Sequence, residues 1–230
     1  MSDGKGEYAA VVSDIYKKYG RVEAVRGVSL SVAEGERLCV IGRNGCGKST
    51  LLGLIAGTLR PDSGEVRIKS GLKIGFAPQE DVLFADLSVL DNLKFWNAAA
   101  KGGTPAAKSK NETVAALGLE PLLKKRVKAL SGGMRRRVSI AAAQIRDPEI
   151  LILDEPFSGL DAFYKRELSE FLTGLAKRGK TIIYTSHSPD EISGTADSVV
   201  LIEGGRVASR AAAGDAAKLF GGIYKNKRNT

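Results

Sequence analysis

Leu38-Cys39-Val40-Ile41 runs directly into Gly42-Arg43-Asn44-Gly45-Cys46-Gly47-Lys48-Ser49-Thr50, and that loop runs directly into Leu51-Leu52-Gly53-Leu54-Ile55-Ala56-Gly57. The succession is buried strand, glycine loop, helix, the context in which G-x-x-x-x-G-K-[ST] cradles phosphate. Gly42, Gly45 and Gly47 let the backbone bend so that successive N–H groups point inward, and the helix N-terminus adds its partial positive charge. A polyphosphate is the natural occupant, with Asn44, Gly45, Cys46 and Gly47 along the cradle. Lys48 is placed to reach the β- and γ-phosphates, the Ser49 hydroxyl to ligate Mg²⁺, and Thr50 to help hold the α- and β-phosphates. The Cys46 side chain need only be small there. At a helix N-terminus beside Lys48, its thiol is expected to have a lowered pKa and to be shielded by bound nucleotide.

A second apolar run, Ile150-Leu151-Ile152-Leu153, ends in Asp154-Glu155. Two carboxylates at the carboxyl end of a buried strand stand where open α/β sheets bind ligands. Asp154 suits the metal, through bound water, and Glu155 suits a general base that polarises an attacking water.

Between and around these runs, short β-branched segments alternate with longer amphipathic ones, the alternation of an α/β fold with a mostly parallel sheet. Val11–Tyr16, Val28–Val32, Glu65–Ile68 and Lys73–Phe76 read as strands separated by short turns, and an antiparallel flap beside the main sheet accounts for all four. From about Leu87 to Ala143 helical patterns dominate, broken at Gly102-Gly103-Thr104-Pro105, which suggests a helical lobe inserted in the core. Thr181–Tyr184 and Ser198–Ile202 return to buried-strand character, with a helix expected over Phe163–Lys177. The whole chain, 1–230, is expected to be one domain carrying that lobe.

The apolar runs are far shorter than the ~20 residues a helix needs to cross a bilayer. The opening MSDGKGEYAA lacks the apolar core of a secretory signal, so a cytoplasmic chain is expected. Cys39 and Cys46 form no CxxC pair, which argues against a zinc site or a disulfide scaffold. The 35 Lys and Arg outnumber 26 Asp and Glu, a formal charge of +9 that favours anionic partners: nucleotide, nucleic acid or acidic lipid heads. Part of that excess, Lys124–Lys128 and Arg135–Arg137, frames the motif described next. Consecutive arginines on a helix fan ~100° apart, so most of it reads as solvated surface.

Leu130-Ser131-Gly132-Gly133-Met134 precedes a helical run, and with it the chain resembles an ABC-type ATPase, whose LSGG signature lies between the P-loop and the acidic strand. Met134 stands where many members have glutamine. The other elements of the family follow in order over nearly the whole sequence. The resemblance implies that Tyr19, with Tyr16 as the competing aromatic, stacks on adenine. It implies that Gln79 in Ala-Pro-Gln-Glu is the glutamine of the loop that reaches the metal and the reaction. Ser158-Gly159-Leu160-Asp161 matches the loop after the acidic strand, and Asp161 joins the nucleotide set. His187, in Thr-Ser-His-Ser, matches the switch histidine, a neutral imidazole able to hydrogen-bond the γ-phosphate.

In that family ATP joins two subunits head to tail: the signature of one, here Ser131, Gly132 and Gly133, caps the nucleotide held by the P-loop of the other. Ser131 and the two glycine amides at a helix start do form a second anion site. The implied protein is the ATP-hydrolysing subunit, as a homodimer or paired with another ATPase subunit, of a transporter whose integral membrane part is a separate chain. It would sit on the inner face of the cell membrane, with ATP and Mg²⁺ as cofactors and no nucleic acid. The SGLD and GGMRRR wording, the short lobe and the absence of a long segment after the last strand resemble the ATPases of two-component exporters. Two rivals remain. A non-transport ABC-type ATPase acting on nucleic acid or ribosomes usually has two cassettes or a long coiled coil, and no heptads occur between Gly47 and Ser131. A degenerate binder would lack the base or the switch histidine, whereas Glu155 and His187 are both present.

Overall fold

The computed structural model describes residues 7–99 and 107–225. Strand β3 (Arg37–Ile41) forms the middle of a six-stranded sheet because its apolar run is covered on both faces. It pairs in parallel with β7 (Thr181–Thr185) on one side and β8 (Ser198–Glu203) on the other. Beyond β7 lie β6 (Ile150–Leu153) and β5 (Ile74–Ala77), also parallel, and beyond β8 lies β9 (Arg206–Ala212), which turns back antiparallel at the far edge.

Alternation along the strands divides the core in two. Leu38, Val40, Ile150, Ile152, Ile183 and Val200 face α1 (Lys48–Ile55) and a separate antiparallel sheet of β1 (Tyr8–Tyr19), β2 (Val22–Ala33) and β4 (Ser63–Ile68). Cys39, Ile41, Leu151, Leu153, Ile182 and Tyr184 face the other way, toward α4 (Gly132–Gln144) and α5 (Ala162–Lys177). Each fully buried leucine or isoleucine contributes about 1.5–3 kcal/mol.

The expected flap is present, with one correction. Lys73–Phe76 does not join the antiparallel sheet: this segment, as β5, pairs with β6, Ile74 opposite Ile150 and Ala77 opposite Leu153. Ile74 and Phe76 pack on the α1 side and Ala77 on the α4 side, so the strand is covered on both faces, as an edge flap strand would not be. The consequence is functional, because the chain leaving β5 now enters the same end of the sheet as the chain leaving β3.

The segment expected to be helical contains α2 (Val89–Ala99), α3 (Ala107–Ala116), two 3-10 turns at Glu120–Leu122 and Val127–Ala129, and α4. The Gly102–Pro105 break lies outside the described residues. Buried Asn92 on α2 pins the loop before it: its amide oxygen accepts from the Phe84 N–H at 2.8 Å, and its amide nitrogen donates to the carbonyls of Phe84 and Ser88, each at 3.0 Å. After the last strand a helix, α6 (Ala216–Lys225), follows. Among the described residues no helix is long and apolar enough to cross a membrane.

Most of the charge excess is solvated as expected, with Lys124, Lys125, Arg126 and Lys128 exposed and Arg135 partly so, but Arg136 and Arg137 are a correction: both are buried. Arg137 stacks its guanidinium 3.6 Å from the ring centroid of Tyr164 on α5 and donates to the carbonyl of Leu117 at 3.0 Å. The two share a helix side with Ile140 and Ala141 on the next turn and Gln144 on the one after, and that side faces the core.

Candidate active site

Gly47 caps α1 with φ at 105°, and a side chain there would stand 2.1 Å from the carbonyl of Ala24. Only glycine permits that backbone to pass so close to β2 while turning into a helix. Behind the turn, the Lys48 ammonium folds back over the loop and donates to the carbonyls of Gly42 at 2.9 Å and Arg43 at 3.1 Å. The lysine is buried, with its charge held inside the cradle.

The cradle opens into a cleft of about 590 Å³, lined by Tyr19, Ala24, Asn44, Gly45, Gly47, Lys48, Ser49, Thr50, Gln79, Glu155 and His187. Five strands meet there: β1 delivers Tyr19, the loop after β3 the glycines, the loop after β5 Gln79, and the segments just past β6 and β7 the pair Glu155 and His187. Tyr19 is half exposed at the cleft, whereas Tyr16 lines a different depression with Asp62 and Ser63. Gly42 and Cys46 do not line the cleft. The half-buried Cys46 side chain packs against the apolar cluster behind the loop, and burial pushes its thiol pKa up, outweighing the nearby Lys48. The expectation of a lowered pKa is therefore overturned, because the side chain faces the core and not the phosphate cradle.

At the end of β6, Asp154 is buried and Glu155 turns outward with φ at 52°. His187 Nε2 lies 2.6 Å from Glu155 Oε1. Two residues that the sequence reading did not assign to the site hold this corner. The Thr185 hydroxyl donates to Asp154 Oδ1 at 2.6 Å and accepts from the Glu155 N–H at 2.7 Å. Arg136, reaching across from α4, donates to the Asp154 carbonyl and, at 2.5 Å, to the carbonyl of Pro78 beside Gln79. Burial lowers the Arg136 pKa, opposed by Asp81, Asp154 and Glu155. Thr185 could have been noticed from its place at the end of an apolar strand two residues before His187; Arg136 only from its helical spacing to Ile140.

The remaining expected residues form a separate group. Ser131 caps α4, its hydroxyl accepting from the Met134 N–H at 3.3 Å, and Asp161 caps α5, accepting from the Tyr164 N–H at 3.0 Å. A side chain on Gly133 would meet the carbonyl of Gly159 at 2.6 Å, so the signature backbone lies directly against the loop after the acidic strand. Ser131 and Gly132 are exposed, and none of Ser131, Gly132, Gly133 or Asp161 lines the cleft.

A glycine cradle holding a buried lysine, opposite an acidic strand end and a histidine, defines a P-loop nucleotide-hydrolysing cassette. A family model described as ABC transporter matches residues 25–158, and an AAA-domain model also matches 126–193. The linearmycin resistance ATP-binding protein LnrL of Bacillus subtilis is 35% identical over 221 residues, covering 91% of this chain and 71% of that protein. The molybdenum import ATP-binding protein ModC of Brucella abortus is 40% identical over 199 residues, covering 80% of this chain but only 55% of ModC. The dimeric structure of MJ0796, a bacterial ABC transporter cassette, superposes with a TM-score of 0.81 at 26% identity, covering 89% of this chain and 98% of that one. A post-hydrolysis dimer of the same cassette, bound to ADP and Pi, superposes with a TM-score of 0.79 at 25% identity. The chain belongs to the ABC transporter family as an ATP-binding cassette, and it is an ATPase.

Proposed function

We propose that this cassette powers export through a separate integral membrane subunit, closing head to tail around ATP with a second ATPase subunit. The observation that carries the reading is the convergence of Lys48, Ser49, Gln79, Glu155 and His187 on one cleft, with Ser131, Gly132 and Gly133 displayed elsewhere on the surface. Half a site in each of two places is what a two-chain nucleotide sandwich needs.

In this reading Tyr19 stacks on the base, and the loop from Gly42 to Thr50 binds the phosphates through its amides and Lys48. Glu155 orients and polarises the water, and His187 senses the γ-phosphate while its ring nitrogen steadies Glu155. Ser49, Gln79 and Asp154 would hold Mg²⁺, whose charge offsets that developing on the phosphate oxygens. Their hydroxyl, amide and carboxylate oxygens suit a hard cation that completes its shell with water and phosphate oxygens. Asp161, facing the second subunit, completes the set.

The chain is read as one domain, 1–230, with the lobe at about 87–143 transmitting movement to the membrane subunit from the cytoplasmic face. Beside the glutamine loop, Phe95 meets Phe84 and Trp96 edge to face, Phe84 stacks on Trp96, and Trp96 borders a groove of about 380 Å³ whose lining also includes Phe76, Val82 and Ala143. Phe84 and Phe95 are each over two-fifths exposed, an apolar surface suited to a docking segment of the membrane chain. Export rests on the GGMRRR and SGLD wording and on the resistance relative; import has the ModC relative on its side. Phosphate release by the wild type and by Glu155→Gln tests the catalytic reading. Co-purification of a chain with several ~20-residue apolar spans tests the transport reading, and uptake or efflux in sealed vesicles the direction.

A further inference from the structure

The carbonyl of Asp154 and the N–H of Glu155 belong to one peptide group, and that group lies past the end of the strand ladder. Register between β6 and β7 stops at Leu153 opposite Tyr184. Neither end of the peptide is left to strand pairing. The carbonyl accepts from the Arg136 guanidinium, and the N–H donates to Thr185 Oγ1 at 2.7 Å. Thr185 is fully buried and passes its own proton on to Asp154 Oδ1 at 2.6 Å, while Arg136 is buried with its other terminal nitrogen on the Pro78 carbonyl. The residue being held is a glutamate at φ 52°, a left-handed conformation that L side chains other than Asn and Asp rarely adopt. A strained backbone persists only where its surroundings overdetermine it.

We infer that Arg136 and Thr185 are positioning residues that clamp the two ends of the Asp154–Glu155 peptide group and so aim the Glu155 carboxylate at His187. The fork of Arg136 ties that same peptide to the glutamine loop through Pro78. A shift of the loop or of α4 against the sheet therefore reaches the Glu155 carboxylate through one side chain. A lysine at 136 keeps the charge but cannot span two carbonyls with the same planar geometry. The inference rests on the reading of Glu155 as the group that polarises water.

The test uses the purified full chain, measuring kcat and KM for ATP, nucleotide affinity by calorimetry and thermal melting. Thr185→Val keeps the shape and removes the hydroxyl. It should lower kcat roughly tenfold or more, as a displaced catalytic group does, while ATP affinity stays within about threefold. Thr185→Ser should recover most of the loss. Arg136→Lys should lower kcat with affinity retained, and it carries the test should Thr185→Val fail to fold. Introduced into Glu155→Gln, Thr185→Val should add little further loss, because both act through one carboxylate. Wild-type turnover in Thr185→Val, no recovery by serine, or losses that multiply with Glu155→Gln would each overturn the clamp. Full turnover in Glu155→Gln itself would remove Glu155 from the chemistry and the clamp with it; an inactive Glu155→Gln beside an active Thr185→Val overturns the clamp alone.

Discussion

His187 reaches Glu155 across the mouth of the cleft, Nε2 to Oε1 at 2.6 Å, although 32 residues separate them in sequence. Parallel pairing of β6 with β7 brings them together: Glu155 lies two residues past Leu153, the last paired residue of β6, and His187 two residues past the end of β7. The carboxylate proposed to orient water and the imidazole proposed to touch phosphate thereby become one hydrogen-bonded unit.

Glu155→Gln keeps the shape of that unit and removes the proposed base. Turnover should fall on the order of 10²-fold or more, while ATP binding survives. If two chains close around ATP as proposed, the closed dimer should accumulate in ATP, because the γ-phosphate that would bridge P-loop and signature is no longer cleaved. Size-exclusion chromatography with and without ATP, alongside phosphate release, checks both halves. Asp154→Asn should behave differently, weakening the MgATP complex itself. Lost turnover without an ATP-dependent dimer would leave the catalytic role standing and count against the sandwich.

Cys46 should alkylate slowly at neutral pH, since burial pushes its pKa up and only the thiolate reacts. Its maleimide rate should climb with pH and reach its midpoint above that of a free cysteine, ~8.5. Cys39, fully buried with a pKa pushed far up, should label only on unfolding and so serves as an internal control. Cys46→Ser should retain ATPase activity. A Cys46 labelling midpoint at or below that of a free thiol would contradict the packing of the side chain behind the loop.

Arg37 at the start of β3 grips Asp197 just before β8 through three contacts, from its backbone N–H at 2.9 Å, Nε at 3.2 Å and a terminal nitrogen at 2.6 Å. That pairing holds the Asp197 carboxyl below its ordinary pKa. A depressed carboxyl stabilises the fold above its unfolded pKa, ~3.9, and the contribution disappears as pH falls through the lower folded value. Asp197→Asn should therefore melt below wild type at pH 7, and the gap should close on acidification below about pH 4. A gap that stays constant with pH would show that charge plays no part.

Phe95→Asp places a charge in the exposed aromatic cluster that Phe95 forms with Phe84 and Trp96, without touching the cleft. Basal ATPase activity should stay within about twofold, while co-purification with the proposed membrane subunit in mild detergent should drop at least tenfold, since a charge buried in the proposed apolar contact is left unpaired. Undiminished recovery would move the docking surface elsewhere.

Local sequence carried much of this protein, and the reason is that its chemistry is built on short runs. The strand-loop-helix from Leu38 to Ile55 specifies its own conformation through glycine freedom and helix entry, and Ile150–Glu155 announces a buried strand ending in acids. Those segments could be read without knowing their neighbours. Ile74–Ala77 could not, because four residues of β character do not state which sheet they join; burial on two faces decided it. Arg206–Ala212 was missed for a similar reason: with half of its residues open to solvent it lacks the apolar run of a buried strand, although Gly204-Gly205 offered a hairpin signal. Arg136 and Thr185 lay furthest from view. A buried arginine becomes tolerable only when carbonyls from β5 and β6 converge on it, and that convergence exists only once the strands have paired and α4 has packed across them. Sequence by itself determined the glycine loop between strand and helix and the strand that ends in two acids; tertiary structure decided which groups would hold the Asp154–Glu155 peptide, since hydrogen bonds between distant segments leave no periodic trace in either one.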